Sequence, residues 1–220
     1  SFSSRGSVPG HEDTNARAFD LTGVFSSLRS GMMEISLGRR LKRPLVLSFY
    51  YPWYGNALGK SGEQFHWSDV TYQGIGSSTY YPRFGPYDSQ DGRLIGAHME
   101  LAKAAGIDGF ICSWWGMGTF EDRALVEILK GADSEGFNVT IYYETVREMG
   151  RDQIVNELSY VIERYSDEPS FLKIDGRPVI FLYAVSAYDR DVGFWQDVAE
   201  GVRESTRADP LFVADTFDSS

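Results

Sequence analysis

The chain has 220 residues, of which 42% are hydrophobic and 24% charged, a composition typical of one globular domain with a substantial core. Its net charge of −10 argues against nucleic acid or an anionic membrane as a partner, because both would repel it. Aromatic residues reach 15%, and tyrosine and tryptophan combine an apolar face with a polar group, which suits ligands such as sugars.

Residues 1–43 are predicted to form a tail or leader segment, and residues 44–220 the domain itself. In the domain, short apolar runs rich in β-branched and aromatic residues alternate with amphipathic helices, which predicts a parallel sheet. The predicted strands cover residues 45–49, 107–112, 139–143, 179–183 and 211–214, and the predicted helices cover 93–105, 119–135, 151–165 and 192–204. Thr119 and Asp122 have the spacing of a helix cap, and Asp175-Gly176 predicts a tight turn before the fourth main strand.

Two architectures fit this alternation: a doubly wound open sheet, or a (β/α)8 barrel of the TIM type that is incomplete in this chain. A complete barrel takes about 250 residues, and this chain has room for about five βα units. An incomplete barrel is therefore the favoured fold, with a second chain or a further segment to complete it.

Aromatic and acidic residues gather where the predicted strands end. Because ligands bind beyond the carboxyl ends of parallel strands, this asymmetry predicts a binding rim. A long loop after the first strand adds His66 and Trp67. The candidate substrate-binding residues are Tyr51, Trp53, Tyr54, His66, Trp67, Trp114, Trp115, Tyr143, Tyr183 and Asp218.

Glu144 is the foremost catalytic candidate, because it follows the third strand at the predicted mouth of the barrel. The alternative is a structural ion pair with Arg147. Asp215, at the end of the fifth strand, is the candidate for a second carboxylate, since glycoside hydrolysis uses two. His98 lies between apolar residues on a helix face and is interpreted as a hydrogen-bonded core histidine.

No spacing of metal ligands and no phosphate-binding loop is found, so neither a metal nor a cofactor is expected. Cys112 is the only cysteine, which excludes a disulfide framework. The compartment stays open, with a secreted or cell-surface location slightly favoured.

Several short motifs then point to a known family. The stretches "FYYPWYGN", "HW", "GPYDSQD", "AHM" and "SWW" occur in this order, followed by "YYE" and "KIDGRPVIFLY". This series resembles the family-99 glycoside hydrolases, the endo-α-mannosidase family, from about residue 45 to the end of the chain. The resemblance implies a (β/α)8 barrel that cleaves internal α-mannosidic links with retention and without a metal. It also implies a glycan-binding rim that contains Tyr51, Trp53, Tyr54, His66, Trp67, Trp114 and Trp115, with Glu144 at the mouth of the third strand.

One feature departs from the family pattern. The paired catalytic glutamates of the family lie in a motif of the type Asn-Glu-Trp-x-Glu near a late strand, and the chain has no such motif. We therefore expect the N-terminal part of a glycosidase that acts on α-mannoside or a related polysaccharide. The alternative is a non-catalytic glycan-binding or cell-surface domain.

Overall fold

A computed structural model describes residues 44–67, 70–71, 74–75, 80, 82–144 and 148–215. The predicted tail, residues 1–43, lies outside this range. The first part contains strands β1 (Leu47–Tyr50), β2 (Val70–Thr71) and β3 (Gly74–Ile75). Four helices follow: α1 (Gly92–Ala104), α2 (Phe120–Glu135), α3 (Arg151–Tyr165) and α4 (Val192–Thr206). Between and after them lie β4 (Gly109–Trp114), β5 (Asn138–Tyr143), β6 (Lys173–Ile174), β7 (Arg177–Leu182) and β8 (Leu211–Ala214), and a 3-10 turn covers Ala187–Asp189.

The order of the strands decides between the two architectures. The parallel strands pair in chain order, β1 with β4, β4 with β5, β5 with β7, and β7 with β8. A doubly wound sheet reverses its order at a switch point, whereas a barrel does not. Because crossovers are right-handed, an unreversed order places every helix on the same side of the sheet. The fold is therefore the incomplete (β/α)8 barrel that the sequence predicts.

Local sequence signals account for the two ends of α2 and for a hairpin. The Thr119 hydroxyl accepts a hydrogen bond from the backbone N–H of Asp122 at the start of α2, as the spacing predicts. The same helix ends at Gly136, whose φ of 60° is left-handed and unstrained only for glycine. The predicted turn at Asp175-Gly176 is confirmed, since β6 pairs with β7 as an antiparallel hairpin.

The core lies between the helices and the outer face of the sheet. Alternate residues of the central strands point into it, including Phe110, Cys112 and Trp114 of β4. The inner face of the sheet is less covered at its two ends, where Phe49 of β1 is 49% exposed and Val213 of β8 is 44% exposed. This difference indicates that the helices cover the central strands, whereas the inner face is open at both ends of the described sheet.

Two buried polar clusters connect the layers. The Asp122 carboxylate accepts hydrogen bonds from Trp114 Nε1 (2.9 Å), Gly118 N (2.9 Å), Tyr160 Oη (2.9 Å) and Tyr165 Oη (2.7 Å). It thereby joins β4, the following loop, α2 and α3.

The second cluster confirms the interpretation of His98. Its Nδ1 lies 2.9 Å from the Tyr50 hydroxyl, and the Tyr87 ring packs against it. Burial lowers the pKa of His98 and raises that of Tyr50, so both groups are held neutral.

Candidate functional site

An aromatic group follows β1 directly, at the carboxyl edge of the sheet. Trp53 lies at its centre, with ring centroids 4.8 Å from Tyr51, 5.1 Å from His66 and 6.4 Å from Trp115. Tyr51 is 41% exposed, and His66 is exposed. The buried Trp53 Nε1 has no hydrogen-bond partner in the described residues. These rings form a surface on which a flat apolar group can stack.

A loop held by short-range contacts supports these rings from the side. Gly55 and Phe65 exchange backbone hydrogen bonds of 2.9 and 3.0 Å, which closes the loop between them. Trp67 stacks on Tyr54 at 4.1 Å and donates from Nε1 to the Tyr87 carbonyl oxygen at 2.6 Å. Trp67 is only 5% exposed, so it supports the wall from behind and does not present a free ring.

Glu144 directly follows β5, and its backbone N–H continues the ladder by donating to the Trp114 carbonyl at 3.0 Å. Its side chain is half-buried, and its Oε1 atom has no partner in the described part of the chain. Burial raises the pKa of the Glu144 carboxyl, and the nearby charges of Glu121 and Asp215 raise it further. A hydrogen bond from Ser113 opposes this rise. The predicted alternative pair with Arg147 lies outside the described residues.

The Tyr51 ring and the Trp115 ring are both coupled to Glu144. Burial raises the pKa of Tyr51, and the charge of Glu144 and the Tyr183 phenol add to this effect. Trp115 Nε1 donates to Ser113 Oγ at 2.9 Å, and Ser113 is the hydrogen-bond donor to Glu144. Glu144 is thus connected to rings from two strand ends, Tyr51 and Trp115, and the Tyr183 phenol acts on Tyr51.

Asp215 lies at the end of β8 and is engaged on both carboxylate oxygens. Its Oδ2 atom accepts from the Tyr142 hydroxyl, and its Oδ1 atom accepts from the Ala184 backbone N–H at 2.6 Å. Burial raises the pKa of Tyr142, and the bond and charge of Asp215 contribute to the rise. The Tyr183 ring packs edge-on against the Tyr142 ring at 5.5 Å. Asp218 lies outside the described residues.

Two predicted rim residues belong instead to the core. Trp114 is fully buried and donates to Asp122, while Tyr143 is 1% exposed and donates to Glu157 Oε2 at 2.6 Å. The reason is the alternation of side chains along a strand: β4 continues to Trp114 and β5 to Tyr143, and both side chains point toward the helices. The next residues, Trp115 and Glu144, are the ones that the structure brings to the rim.

The sequence model of glycosyl hydrolase family 99 matches residues 68–219, more than half of the chain. The chain belongs to this family. Glycoprotein endo-α-1,2-mannosidase of Xenopus laevis is 26% identical, with 76% of this chain and 44% of that protein covered. The enzyme of the same name from Mus musculus is also 26% identical, over 92% of this chain and 50% of that protein.

Solved structures agree with this assignment. The GH99 endo-α-mannosidase from Bacteroides thetaiotaomicron is 26% identical, with a TM-score of 0.65, over 77% of this chain and 51% of that structure. A structure described as a glycoside hydrolase-like protein is 14% identical with a TM-score of 0.53, which supports the fold alone. The family-99 domain described here spans about half the length of the curated relatives that it matches.

The family-99 domain therefore has a rim that combines exposed rings with one carboxyl group of raised pKa. Such a carboxyl group stays protonated to a higher pH than an ordinary one, so it is available as a proton donor over a wider pH range. Among the described residues, no group of three or more His, Cys, Asp or Glu side chains is arranged to hold a metal ion. The helices described are also too short or too polar to cross a membrane.

Sequence reasoning missed Tyr142. The sequence signal that could have found it is its position two residues before Glu144. Residues two apart along an extended chain point to the same face, so both side chains lie on the inner face of the sheet.

Proposed function

We propose that the rim of this family-99 domain binds an oligosaccharide with α-linked mannose, and that Glu144 is the ionisable group of the sugar site. The observation that carries this proposal is the state of the Glu144 carboxyl. It is half-buried, has one oxygen without a partner, and is coupled to Tyr51 and, through Ser113, to Trp115. A buried polar oxygen without a partner is costly, and a sugar hydroxyl supplies the missing hydrogen bond.

Each group has a role in this proposal. The rings of Tyr51, Trp53 and Trp115 stack on the apolar face of a sugar, while Glu144 donates a hydrogen bond or a proton to a sugar oxygen. Hydrolysis with retention needs a second carboxylate about 5–5.5 Å from the first. The Asp215 charge contributes to the raised pKa of Glu144, which supports placing both groups in one site, with Asp215 in a supporting role.

We further propose that additional βα units, in the same chain or a second one, complete the barrel. The curated relatives are about twice as long as the matched region, which supports this proposal. Beside β8 and α4 lie two concavities of about 860 and 510 Å3, and both are lined by Val192, Trp195 and Phe212. The apolar side chains that the two concavities share suit a further helix of the barrel in this position.

A non-catalytic glycan-binding domain is the second candidate. The observation that favours it is the engagement of both Asp215 carboxylate oxygens by Tyr142 and Ala184, which leaves Asp215 less available as the second group of a hydrolytic pair. In that case the same rim binds the sugar, and Glu144 contributes a hydrogen bond without transferring a proton.

Binding and cleavage of α-1,2-linked mannotriose distinguish these functions. The 220-residue chain is titrated with the sugar by calorimetry, and release of mannose or mannobiose is followed by chromatography, with and without added C-terminal half of a family-99 barrel. Glu144→Gln is expected to bind the sugar within about threefold of the unaltered chain, because its amide still offers a donor and an acceptor, and to lose the cleavage that depends on proton transfer from Glu144. Glu100→Gln, an exposed substitution on α1, is the matched control. Absence of binding by the unaltered chain refutes the proposed site, and binding without cleavage in both preparations supports the second candidate.

A further inference from the structure

Asp215 occupies an unusual position, because its carboxylate closes a contact between three strands. Oδ2 accepts from the hydroxyl of Tyr142 on β5, and Oδ1 accepts from the backbone N–H of Ala184, which follows β7. With one hydrogen bond on each oxygen, this carboxylate is less available to attack a substrate than a free one. Its contacts are those of a group that holds neighbouring parts of the rim in place.

The segment that Asp215 holds adopts a backbone conformation that is unfavourable for its residue type. Ala184 has a φ of 48°, in the left-handed region that non-glycine residues rarely adopt. The N–H of Ala184 bonds to the Asp215 side chain, and the N–H of Val185 bonds to the Asp215 carbonyl oxygen at 3.2 Å. The Asp215 N–H donates in turn to the Leu182 carbonyl at 3.1 Å. Three bonds from one residue therefore stabilise the turn.

The turn directly follows Tyr183, so it determines where this ring lies. The Tyr183 ring packs edge-on against Tyr142, with centroids 5.5 Å apart and an interplanar angle of 84°. Tyr142 is the same residue that donates to Asp215. The hydrogen bond and the ring contact thus meet at Tyr142, and both act on the position of Tyr183.

We propose that Asp215 is a positioning residue of the sugar site: with Tyr142 it holds the turn at Ala184 and thereby fixes the ring of Tyr183 at the rim. This inference rests on the proposed function, because it assigns Tyr183 to the glycan-binding surface. It gives Asp215 a different role from that of a catalytic carboxylate. The negative charge of Asp215 has a secondary effect, since it contributes to the raised pKa of Glu144.

The test compares Asp215→Ala with Asp215→Asn in the 220-residue chain. Asparagine retains an acceptor for the Ala184 N–H and an amide that donates to the Tyr142 hydroxyl, whereas alanine retains neither. 3-Fluorotyrosine is incorporated at position 183, and its 19F resonance reports the surroundings of the ring. Affinity for α-1,2-linked mannotriose is measured by calorimetry on the same variants.

Asp215→Ala is expected to shift or broaden the 19F resonance and to weaken sugar binding about tenfold, which corresponds to the loss of one well-placed ring. Asp215→Asn is expected to keep the resonance and to bind within about threefold of the unaltered chain. An unchanged resonance in Asp215→Ala overturns the proposal. A large loss of affinity in Asp215→Asn with an unchanged resonance also overturns it, because the charge would then act on the sugar directly.

Two further outcomes remain decisive. If Asp215→Ala does not fold, as judged by circular dichroism, Tyr142→Phe provides the test, because it removes one of the two carboxylate hydrogen bonds and keeps the ring. A displaced resonance in Tyr142→Phe supports the positioning role, and an unchanged one refutes it. If the unaltered chain binds no sugar, the proposed function fails, whereas the 19F measurement still tests how Asp215 holds Tyr183.

Discussion

Replacing Asp122 by asparagine tests whether this buried carboxylate holds the domain together. Each carboxylate oxygen accepts two hydrogen bonds, Oδ1 from Trp114 and Tyr165, and Oδ2 from Gly118 and Tyr160. An asparagine places an NH2 group at one of these two positions. The tyrosine hydroxyl on that side can turn and accept a hydrogen bond, but the indole or backbone N–H beside it is a donor only.

The amide orientation with NH2 beside Trp114 leaves the buried indole N–H without an acceptor, and the other orientation leaves the backbone N–H of Gly118 without one. An unsatisfied buried donor costs about 1–3 kcal/mol, and the remaining bonds lose the strength that a charged acceptor provides. Relief from burying a charge offsets part of this loss. We expect Asp122→Asn to lower the free energy of unfolding by about 2–4 kcal/mol, a large part of the roughly 5–15 kcal/mol of a typical domain.

Urea unfolding followed by circular dichroism measures this difference. With an m-value of about 2–3 kcal/mol per molar urea, the midpoint is expected to fall by about 1 M. Asp133→Asn is the matched control, because Asp133 lies on the same helix and is exposed, and its effect is expected to stay within about 0.5 kcal/mol. A loss below about 1 kcal/mol for Asp122→Asn would refute the reasoning, since it would mean that the four donors find other acceptors.

Three further predictions concern stability. Glu144→Gln is expected to stabilise the chain at pH 7 but not at pH 4, because a raised carboxyl pKa costs stability as pH rises above about 4.5; unfolding midpoints at both pH values measure this. Burial lowers the pKa of His98, so the contribution of this side chain to the free energy of unfolding is complete above pH 6.5 and declines as the pH falls. His98→Gln should remove this part of the pH dependence of stability. Gly201→Ala is expected to cost about 1–3 kcal/mol in urea unfolding, because its methyl group would lie 2.9 Å from Val155 Cγ2, whereas Gly96→Ala, which meets nothing within 4 Å, should add about 1 kcal/mol. Equal effects of the two alanines, or the same pH profiles in the histidine and glutamate variants as in the unaltered chain, would contradict these expectations.

The repeating units of the fold could be predicted from the sequence because each strand is a continuous apolar run flanked by polar turns. The cap at Thr119 and the turn at Asp175 were also visible, since both depend on residues a few positions apart. The unreversed strand order needed the structure. It depends on which strands pair across 29 to 62 residues, and local patterns carry no information about this.

The faces of the central strands could not be predicted for a related reason. A strand buried on both faces has no alternation of polar and apolar residues, so a shift of one residue in its end reverses the direction of every side chain. In "FICSWWG" both tryptophans were predicted at the rim, whereas β4 extends through Trp114 and points that side chain toward the helices. The role of Asp215 was hidden as well, because its partners Tyr142 and Ala184 are 73 and 31 residues away.

The two outer strands of the described sheet have a consequence for what else can join it. In the part of the chain that the structure describes, β1 and β8 lie at opposite ends of a set of parallel strands, and neither has a strand on its outer side within that part. The backbone N–H and C=O groups along such an edge are a template for a further strand. Strands that continue the same parallel order from β8 round to β1 would use both edges at once and close the barrel.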